Sequence, residues 1–105
     1  MTTVKMYRYY VELKGRCTLD EQFIPHSFLF DEQWIPIGRI ERKDKGYSPH
    51  GDFCDRYHFK SNNQPYTLYH NRYNRWYIEL PIFRPDLMDS FDRANYLPKG
   101  DDWVC

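Results

Sequence analysis

Residues 56–80 read RYHFKSNNQPYTLYHNRYNRWYIEL, and this stretch decides the fold class. Residue types that favour strands, above all Tyr, Phe, Trp and Ile, fill three short runs at 56–60, 66–70 and 75–80. The two connections between these runs, SNNQP and NRYN, are rich in turn-forming residues. The stretch therefore predicts an antiparallel meander of three strands.

The chain before the meander predicts further strands. The segment VKMYRYYVELKGR alternates as a strand does and ends at Gly15. We expect one face of this strand to carry Tyr7, Tyr9, Val11 and Leu13, and the other to carry Met6, Arg8, Tyr10, Glu12 and Lys14. Two more strands are predicted at 23–30 and at 34–42, the latter broken or bent near Pro36 and Gly38, with turns at 31–33 and 43–46 and a loop at 47–55.

The period of the sequence changes after the meander. In the segment PDLMDSFDRANYL a single helical face would carry Leu87, Met88, Phe91 and Ala94. We predict one short helix at about 86–95, with Asp86 as its N-terminal cap. In the tail PKGDDWVC, Trp103 and Val104 are expected to pack back onto the domain.

The composition indicates an ordered domain with an aromatic core. A chain of 105 residues suits a single domain, 1–105. Ten Tyr, seven Phe and three Trp accompany a single Ala, which favours strands over helices. We therefore predict a mainly β fold, either a small curved antiparallel sheet or a partly open SH3-like barrel, of about six strands with one short C-terminal helix.

Charge and cysteine usage narrow the cellular setting. Fifteen Lys and Arg balance fifteen Asp and Glu, so bulk attraction to nucleic acid or to an anionic membrane is not expected. The widely spaced Cys17, Cys54 and Cys105 make a poor disulfide framework, which fits a reducing compartment. Since the chain also shows no signal-peptide pattern and no apolar run of the ~18 residues that a membrane span needs, we expect a cytoplasmic protein.

The stretch PHGDFCDRYH at 49–58 concentrates the side chains that could bind a metal. A zinc site would recruit His50, Cys54, His58 and His70. Residues four apart are separated by ~13 Å on a strand, so only a loop that folds back could bring these ligands together. We prefer a polar loop with no metal and no cofactor.

Cys54 is also a candidate nucleophile. A catalytic thiol needs a nearby base and positive surroundings that lower its pKa. The neighbouring carboxylates of Asp52 and Asp55 act in the opposite direction. A buried Cys that packs as a small apolar side chain is the preferred interpretation.

The meander combines aromatic and basic side chains on one predicted face. Trp76, Ile78 and Leu80 would point into the core, whereas Arg75 and Tyr77 would point away from it. Tyr, Trp and Arg are enriched in the hot spots of protein interfaces. We predict an exposed partner-binding face that consists of Arg56, His58, Lys60, Tyr69, Arg72, Tyr73, Arg75 and Tyr77.

Abundant aromatic and Arg residues without a catalytic constellation favour a small non-enzymatic protein-interaction module. A protein is the expected partner, and exposed strand edges also allow a homodimer. By association alone, such a chain suits a viral or mobile-element accessory protein that binds and inhibits a host protein. Two alternatives stay open: single-stranded nucleic-acid binding through the face at 56–78, and a metal site or metal-dependent enzyme at the four candidate ligands.

Overall fold

The computed structural model describes residues 5–92, which form eight strands in two antiparallel sheets. The strands are β1 (Tyr7–Tyr10), β2 (Glu12–Cys17), β3 (Phe23–Phe30), β4 (Gln33–Pro36), β5 (Ile40–Tyr47), β6 (Phe53–Ser61), β7 (Gln64–Asn71) and β8 (Trp76–Leu80). The larger sheet has the order β1-β8-β7-β6-β5, and the smaller one the order β2-β3-β4. The predicted mainly β fold is confirmed, and the two sheets do not close into a barrel.

The first predicted strand is divided between the two sheets. Its backbone leaves the larger sheet at Val11, whose N–H donates the last hydrogen bond to the carbonyl of Trp76 at 3.0 Å. Before this point β1 pairs with β8, and after it β2 pairs with β3. This division adds one strand to the predicted six. The predicted strand at 34–42 is also replaced by two strands, β4 and β5, which brings the number to eight.

The predicted break near Pro36 and Gly38 is confirmed, because β4 ends at Pro36 and β5 begins in the other sheet. The predicted turn at 43–46 is wrong: these residues lie within β5 and pair with β6. Gly46 is part of the reason. A Cβ at this position would lie 2.4 Å from Cζ of Arg56, so the missing side chain allows the guanidinium to lie across the strand.

The tight turns follow the local sequence. Asn62 and Asn63 adopt positive φ angles of 51° and 64° and join β6 to β7. Two consecutive residues with positive φ are typical of the hairpin turns in which Asn is favoured. Asp31 and Glu32 adopt the same backbone conformation between β3 and β4, within the turn predicted at 31–33.

The main core lies between the two sheets and is largely aromatic. Tyr9, Phe28 and Leu68 are completely buried, and the partly buried Trp76 and Leu80 pack against this cluster. The predicted inward face of β8 is therefore confirmed, and Tyr9 identifies the face of β1 that points into this core. The hydroxyl of Tyr9 reaches the chain after β8, where it donates to the carbonyl of Ile82 and accepts from the N–H of Arg84.

The predicted helix at about 86–95 is interrupted in its described part. A 3-10 turn covers Pro85–Leu87, and Met88 is then extended with ψ 153° and buried in the main core. Helical residues resume at 90–92, where the carboxylate of Asp89, rather than that of Asp86, caps by accepting from the N–H of Asp92 at 2.9 Å. Residues 93–95, Trp103 and Val104 lie outside the described residues.

Within residues 5–92 the structure contains no helix with the length and apolar character needed to span a bilayer.

Two Phe→Ala variants test the location of the core. Phe28→Ala should lower the free energy of unfolding by about 3–5 kcal/mol, because it removes a fully buried ring that contacts Phe59 and Tyr66. Phe53→Ala, at a side chain that is 54% exposed, should lower it by less than about 1 kcal/mol. Urea denaturation measures both values, and equal losses would contradict the described core.

Candidate functional site

Five of the predicted partner-binding residues, Arg56, His58, Lys60, Tyr69 and Tyr77, share one face of the larger sheet, whereas Arg72, Tyr73 and Arg75 lie in the connection between β7 and β8. Arg56 lies opposite Tyr69 and Tyr69 opposite Tyr77, so the three form a row across β6, β7 and β8. However, Tyr77 is 0% and Tyr69 is 8% exposed. The expectation that both tyrosines are exposed is therefore wrong, because other parts of the chain cover this face.

A second, smaller core explains the burial of these tyrosines. Tyr69 and Tyr77 stack with ring centroids 5.2 Å apart, and Cys54 and the partly buried Tyr10 pack against them. The Tyr77 hydroxyl donates to Asp52 Oδ2 at 3.1 Å and lies 3.2 Å from the Cys54 sulfur. The loop between β5 and β6, which carries Asp52, thus lies over the face that was expected to bind a partner.

The basic residues of the same face are mostly neutralised. Arg56 donates to both carboxylate oxygens of Asp44, at 2.8 and 3.1 Å, and His58 Nε2 lies 3.2 Å from the same carboxylate. These contacts, that of Arg56 foremost, lower the pKa of Asp44 to about 2. Arg75 pairs with Asp89 at 3.5 Å, whereas Lys60 is exposed. The face therefore presents little net positive charge.

The four candidate metal ligands are not brought together. His50 hydrogen-bonds to Glu79, and Cys54 contacts Tyr77. His58 contacts Thr67 and Asp44, while His70 stacks on Trp76 on the opposite side of the sheet, with centroids 4.0 Å apart. Among residues 5–92 no group of three His, Cys, Asp or Glu side chains is arranged to hold a metal ion.

The environment of Cys54 does not activate its thiol. Burial raises the pKa of Cys54, and the charges of Asp52 and Glu79 raise it further. The thiol donates a long hydrogen bond to the carbonyl of Asp52. Cys54 therefore packs as a small buried side chain, in the way that the sequence indicates.

Arg8 connects three separate parts of the chain. Its Nε and Nη2 donate to the buried carboxylate of Asp92 at 3.0 and 2.6 Å, and its Nη1 donates to Asp52 at 3.0 Å. The guanidinium also lies over the rings of Tyr10 and Tyr77, at 5.1 and 5.5 Å from their centroids. These contacts hold the β5–β6 loop and the residues after Met88 against the larger sheet.

Glu79 provides a second buried attachment for the same loop. Its Oε1 forms a hydrogen bond with His50 Nδ1, and its Oε2 is buried without a hydrogen-bond donor among the described residues. Burial raises the pKa of Glu79, although His50 acts in the opposite direction. Sequence analysis did not identify Arg8 and Glu79 as residues that hold the loop. The only local signal is that each of these charged residues lies on a strand between aromatic or apolar residues.

Exposed aromatic side chains surround a small cavity beside the buried cluster. We call this feature the aromatic hollow; its volume is about 270 Å³ and its lining consists of Tyr47, Gly51, Asp52, Phe53, Asn71, Arg72 and Tyr73. The three rings are 67%, 54% and 69% exposed at Tyr47, Phe53 and Tyr73. Tyr47 and Phe53 meet edge to face at 5.2 Å, and the Arg72 guanidinium lies 5.0 Å from the ring centroid of Tyr73.

One wall of the hollow is the loop 47–53, which is fixed at several points. Within the loop, the N–H groups of Ser48 and Gly51 donate to the carbonyls of Asp52 and Ser48, each at 2.8 Å. Gly51 has a φ of 86°, a left-handed conformation that glycine adopts without strain. The bonds of His50 to Glu79 and of Asp52 to Arg8 and Tyr77 attach the loop to the sheet.

The other wall is the turn between β7 and β8. The side chain of Asn71 organises this turn, because its Oδ1 accepts from the N–H groups of Tyr73 and Arg75, both at 3.0 Å. The backbone of Asn71 also donates to the carbonyl of Arg75 and accepts from Asn74, whose φ is 61°. Both walls are therefore held by hydrogen bonds that do not involve the exposed rings.

The hollow includes only part of the predicted partner-binding set. Arg72 and Tyr73 line it, whereas Arg56, His58, Lys60, Tyr69, Arg75 and Tyr77 do not. Sequence analysis missed Tyr47 and Phe53, because 47–55 was interpreted as a polar loop. The available sequence signal was an aromatic residue on each side of the segment 48–52. In the structure these two residues lie opposite each other, at the end of β5 and the start of β6.

Comparison with known proteins gives no match to a family model, to a curated protein or to a solved structure.

The contacts of Arg8 predict a large effect of its removal. Arg8→Ala should lower the free energy of unfolding by about 3–5 kcal/mol, because it leaves the buried carboxylate of Asp92 without its cation. Arg84→Ala is the matched control: its pair with Asp86 is exposed, so a much smaller loss than that of Arg8→Ala is expected in urea denaturation.

A double variant separates the ion pair from simple packing. Adding Asp92→Asn to Arg8→Ala should recover part of the lost stability, since the uncompensated buried charge is then absent. Strictly additive losses for the two substitutions would show that Arg8 and Asp92 do not interact energetically.

The lowered pKa of Asp44 predicts a pH dependence at the strands β5 and β6. A carboxyl group whose pKa is lower in the folded chain than in the unfolded chain stabilises the folded state. This stabilisation is complete at pH values above the unfolded-state pKa of about 3.9. This stabilisation is lost as the pH falls toward about 2. Urea midpoints of the wild type and Asp44→Asn should therefore converge between pH 4 and pH 2.

Arg56→Ala is the reference for this measurement, because it removes the largest cause of the shift. In this background the effect of Asp44→Asn should already fade at a higher pH. A constant difference between the wild type and Asp44→Asn over the whole range would contradict the assigned pair.

Proposed function

We propose that the protein is a non-enzymatic protein-interaction module and that its partner binds at the aromatic hollow. One observation carries this proposal: three large aromatic side chains, each more than half exposed, surround a single cavity with an Arg at its edge. Exposed apolar residues scattered singly need no explanation, whereas a cluster of them is typical of interaction sites. Tyr and Arg are also among the residues that contribute most to interface hot spots.

The fixed walls of the hollow support the same proposal. Association is costly when loops and side chains have to be ordered on binding. The loop 47–53 and the Asn71 turn are already held by internal hydrogen bonds, so the rings project from a backbone that needs no further ordering. A preorganised site of this kind favours binding.

The hollow replaces the sheet face of the meander as the proposed surface. Tyr69 and Tyr77 are buried, and Arg56 and Arg75 are paired with carboxylates. Binding of single-stranded nucleic acid depends on accessible aromatic rings beside unpaired cations. The buried rings and paired cations of this sheet face therefore do not favour the nucleic-acid alternative. The separation of the four candidate metal ligands does not favour the metal alternative.

The proposal also includes a cytoplasmic location and a role as an accessory protein that inhibits a host protein. These two parts are supported by the composition of the chain and by association. A second copy of this chain is an alternative partner, and sedimentation velocity over a range of concentrations distinguishes it from a foreign protein. A monomer at all concentrations would exclude the homodimer.

Quantitative affinity capture tests the proposed surface. The triple variant Tyr47→Ala, Phe53→Ala and Tyr73→Ala should lose a partner that the wild type retains, because the rings that form the contact are removed. Circular dichroism and urea denaturation check that the variant is folded, as expected from the exposure of all three rings. The purified partner is then titrated calorimetrically against both proteins.

Trp34→Ala is the matched control, since Trp34 is also an exposed aromatic residue but lies on β4, outside the hollow. It should retain the partner with an unchanged Kd. Equal retention by the wild type and the triple variant would overturn the placement of the surface at the hollow.

A further inference from the structure

The size of the aromatic hollow indicates how much of a partner it can hold. Pockets for small-molecule ligands usually measure roughly 300–1,000 Å³ and bury most of the ligand. The hollow, at about 270 Å³, lies below this range and is open to solvent along its exposed rings. It therefore suits one large side chain that projects from a longer chain, and edge-to-face contact with Tyr47 and Phe53 would favour an aromatic one.

The charges at the rim indicate what should flank that side chain. Asp52 Oδ2 is bound by Arg8 and by the hydroxyl of Tyr77, which compensate part of its negative charge. Arg72 is different: no carboxylate among the described residues lies within ion-pair distance of it, and its contacts are with the ring and hydroxyl of Tyr73. Of the two charged residues in the lining, Arg72 is thus the one without an ionic partner among the described residues.

We infer that the hollow binds an acidic peptide segment of the partner, with one aromatic side chain in the cavity and a neighbouring carboxylate on Arg72. This inference rests on the proposed function and adds the chemistry of the partner. The Arg72 guanidinium is held beside the Tyr73 ring by its contact with that ring and by its bond to the hydroxyl, and its remaining N–H groups can donate to a carboxylate. A cationic ligand, which three aromatic rings could otherwise attract, would have to approach Arg72 against its charge.

Synthetic peptides test the inference on the full chain. Four fluorescein-labelled peptides share one length and one scaffold: Trp flanked by Glu, Trp flanked by Gln, Trp flanked by Lys, and Ala flanked by Glu. Fluorescence polarisation gives the Kd of each. We expect the Glu–Trp peptide to bind about fivefold more tightly than the Gln–Trp peptide, the size of one exposed ion pair, and the Ala peptide not to bind.

Arg72→Ala should abolish the preference for Glu over Gln while leaving the binding of the Gln–Trp peptide unchanged. Arg39→Ala is the matched control, because Arg39 is exposed outside the hollow and should leave all four affinities unchanged. Raising the salt concentration should reduce the Glu preference in the wild type and in Arg39→Ala only.

The remaining outcomes separate this inference from the proposed function. Equal binding of all three Trp peptides, or tightest binding of the Lys peptide, would overturn the acidic segment but leave the hollow as a binding site. If no peptide binds while the triple ring variant still loses the captured partner, the peptide chemistry is wrong and the interaction surface stands. If the triple variant retains the partner and no peptide binds, both are wrong.

Discussion

The ion pair between Arg8 and Asp92 is the contact on which the covered face of the larger sheet depends. It joins the first strand to the last described residues, and through Nη1 of the same guanidinium it also holds Asp52. A guanidinium suits this position because its planar group of five donors can serve two carboxylates at once. Tyr10 and Tyr77 provide an aromatic surface beneath it, which lysine would use less well.

The influence of Arg8 extends from the buried cluster to the protein surface. Asp52, which Arg8 holds, is one residue from Phe53 and belongs to the loop that begins at Tyr47. The loop between Tyr47 and Phe53 is therefore held in part by charges that lie behind it. Arg8 and Glu79 both bind the loop that forms one wall of the hollow.

Local alternation predicted most of the strands and the inward face of β8, because side chains on a strand point alternately to its two faces. Ile78 was placed correctly in this way, and Tyr9 lies on one of the two faces that alternation separated in the first strand. The same pattern could not show that Tyr77 is buried, since an amphipathic tyrosine fits either a solvent face or a covered one. Tyr77 is covered in part by Asp52, which is 25 residues away in the sequence. A contact between residues so far apart produces no periodic pattern in the sequence around either of them.

The two candidate surfaces illustrate the same limit. Arg72 and Tyr73 were identified because their residue types are typical of interfaces, but Tyr47 and Phe53 were overlooked within a predicted loop. Their pairing at the end of β5 and β6 depends on the register of two strands, and the register was hidden by the mistaken turn at 43–46. Gly46 resembles a turn glycine in the sequence, whereas in the fold it makes room for Arg56.

The division of the N-terminal strand at Val11 has a consequence for the order in which the fold can form. The meander and the β2-β3-β4 sheet pair strands that are neighbours in sequence, so each can form as soon as its own residues are available. β1 has no such neighbour: Tyr7 to Tyr10 pair with Leu80 to Tyr77, some seventy residues later. During synthesis the tyrosine-rich first strand therefore emerges long before its partner, and the edge of the larger sheet that β1 forms can be completed only after β8 is available.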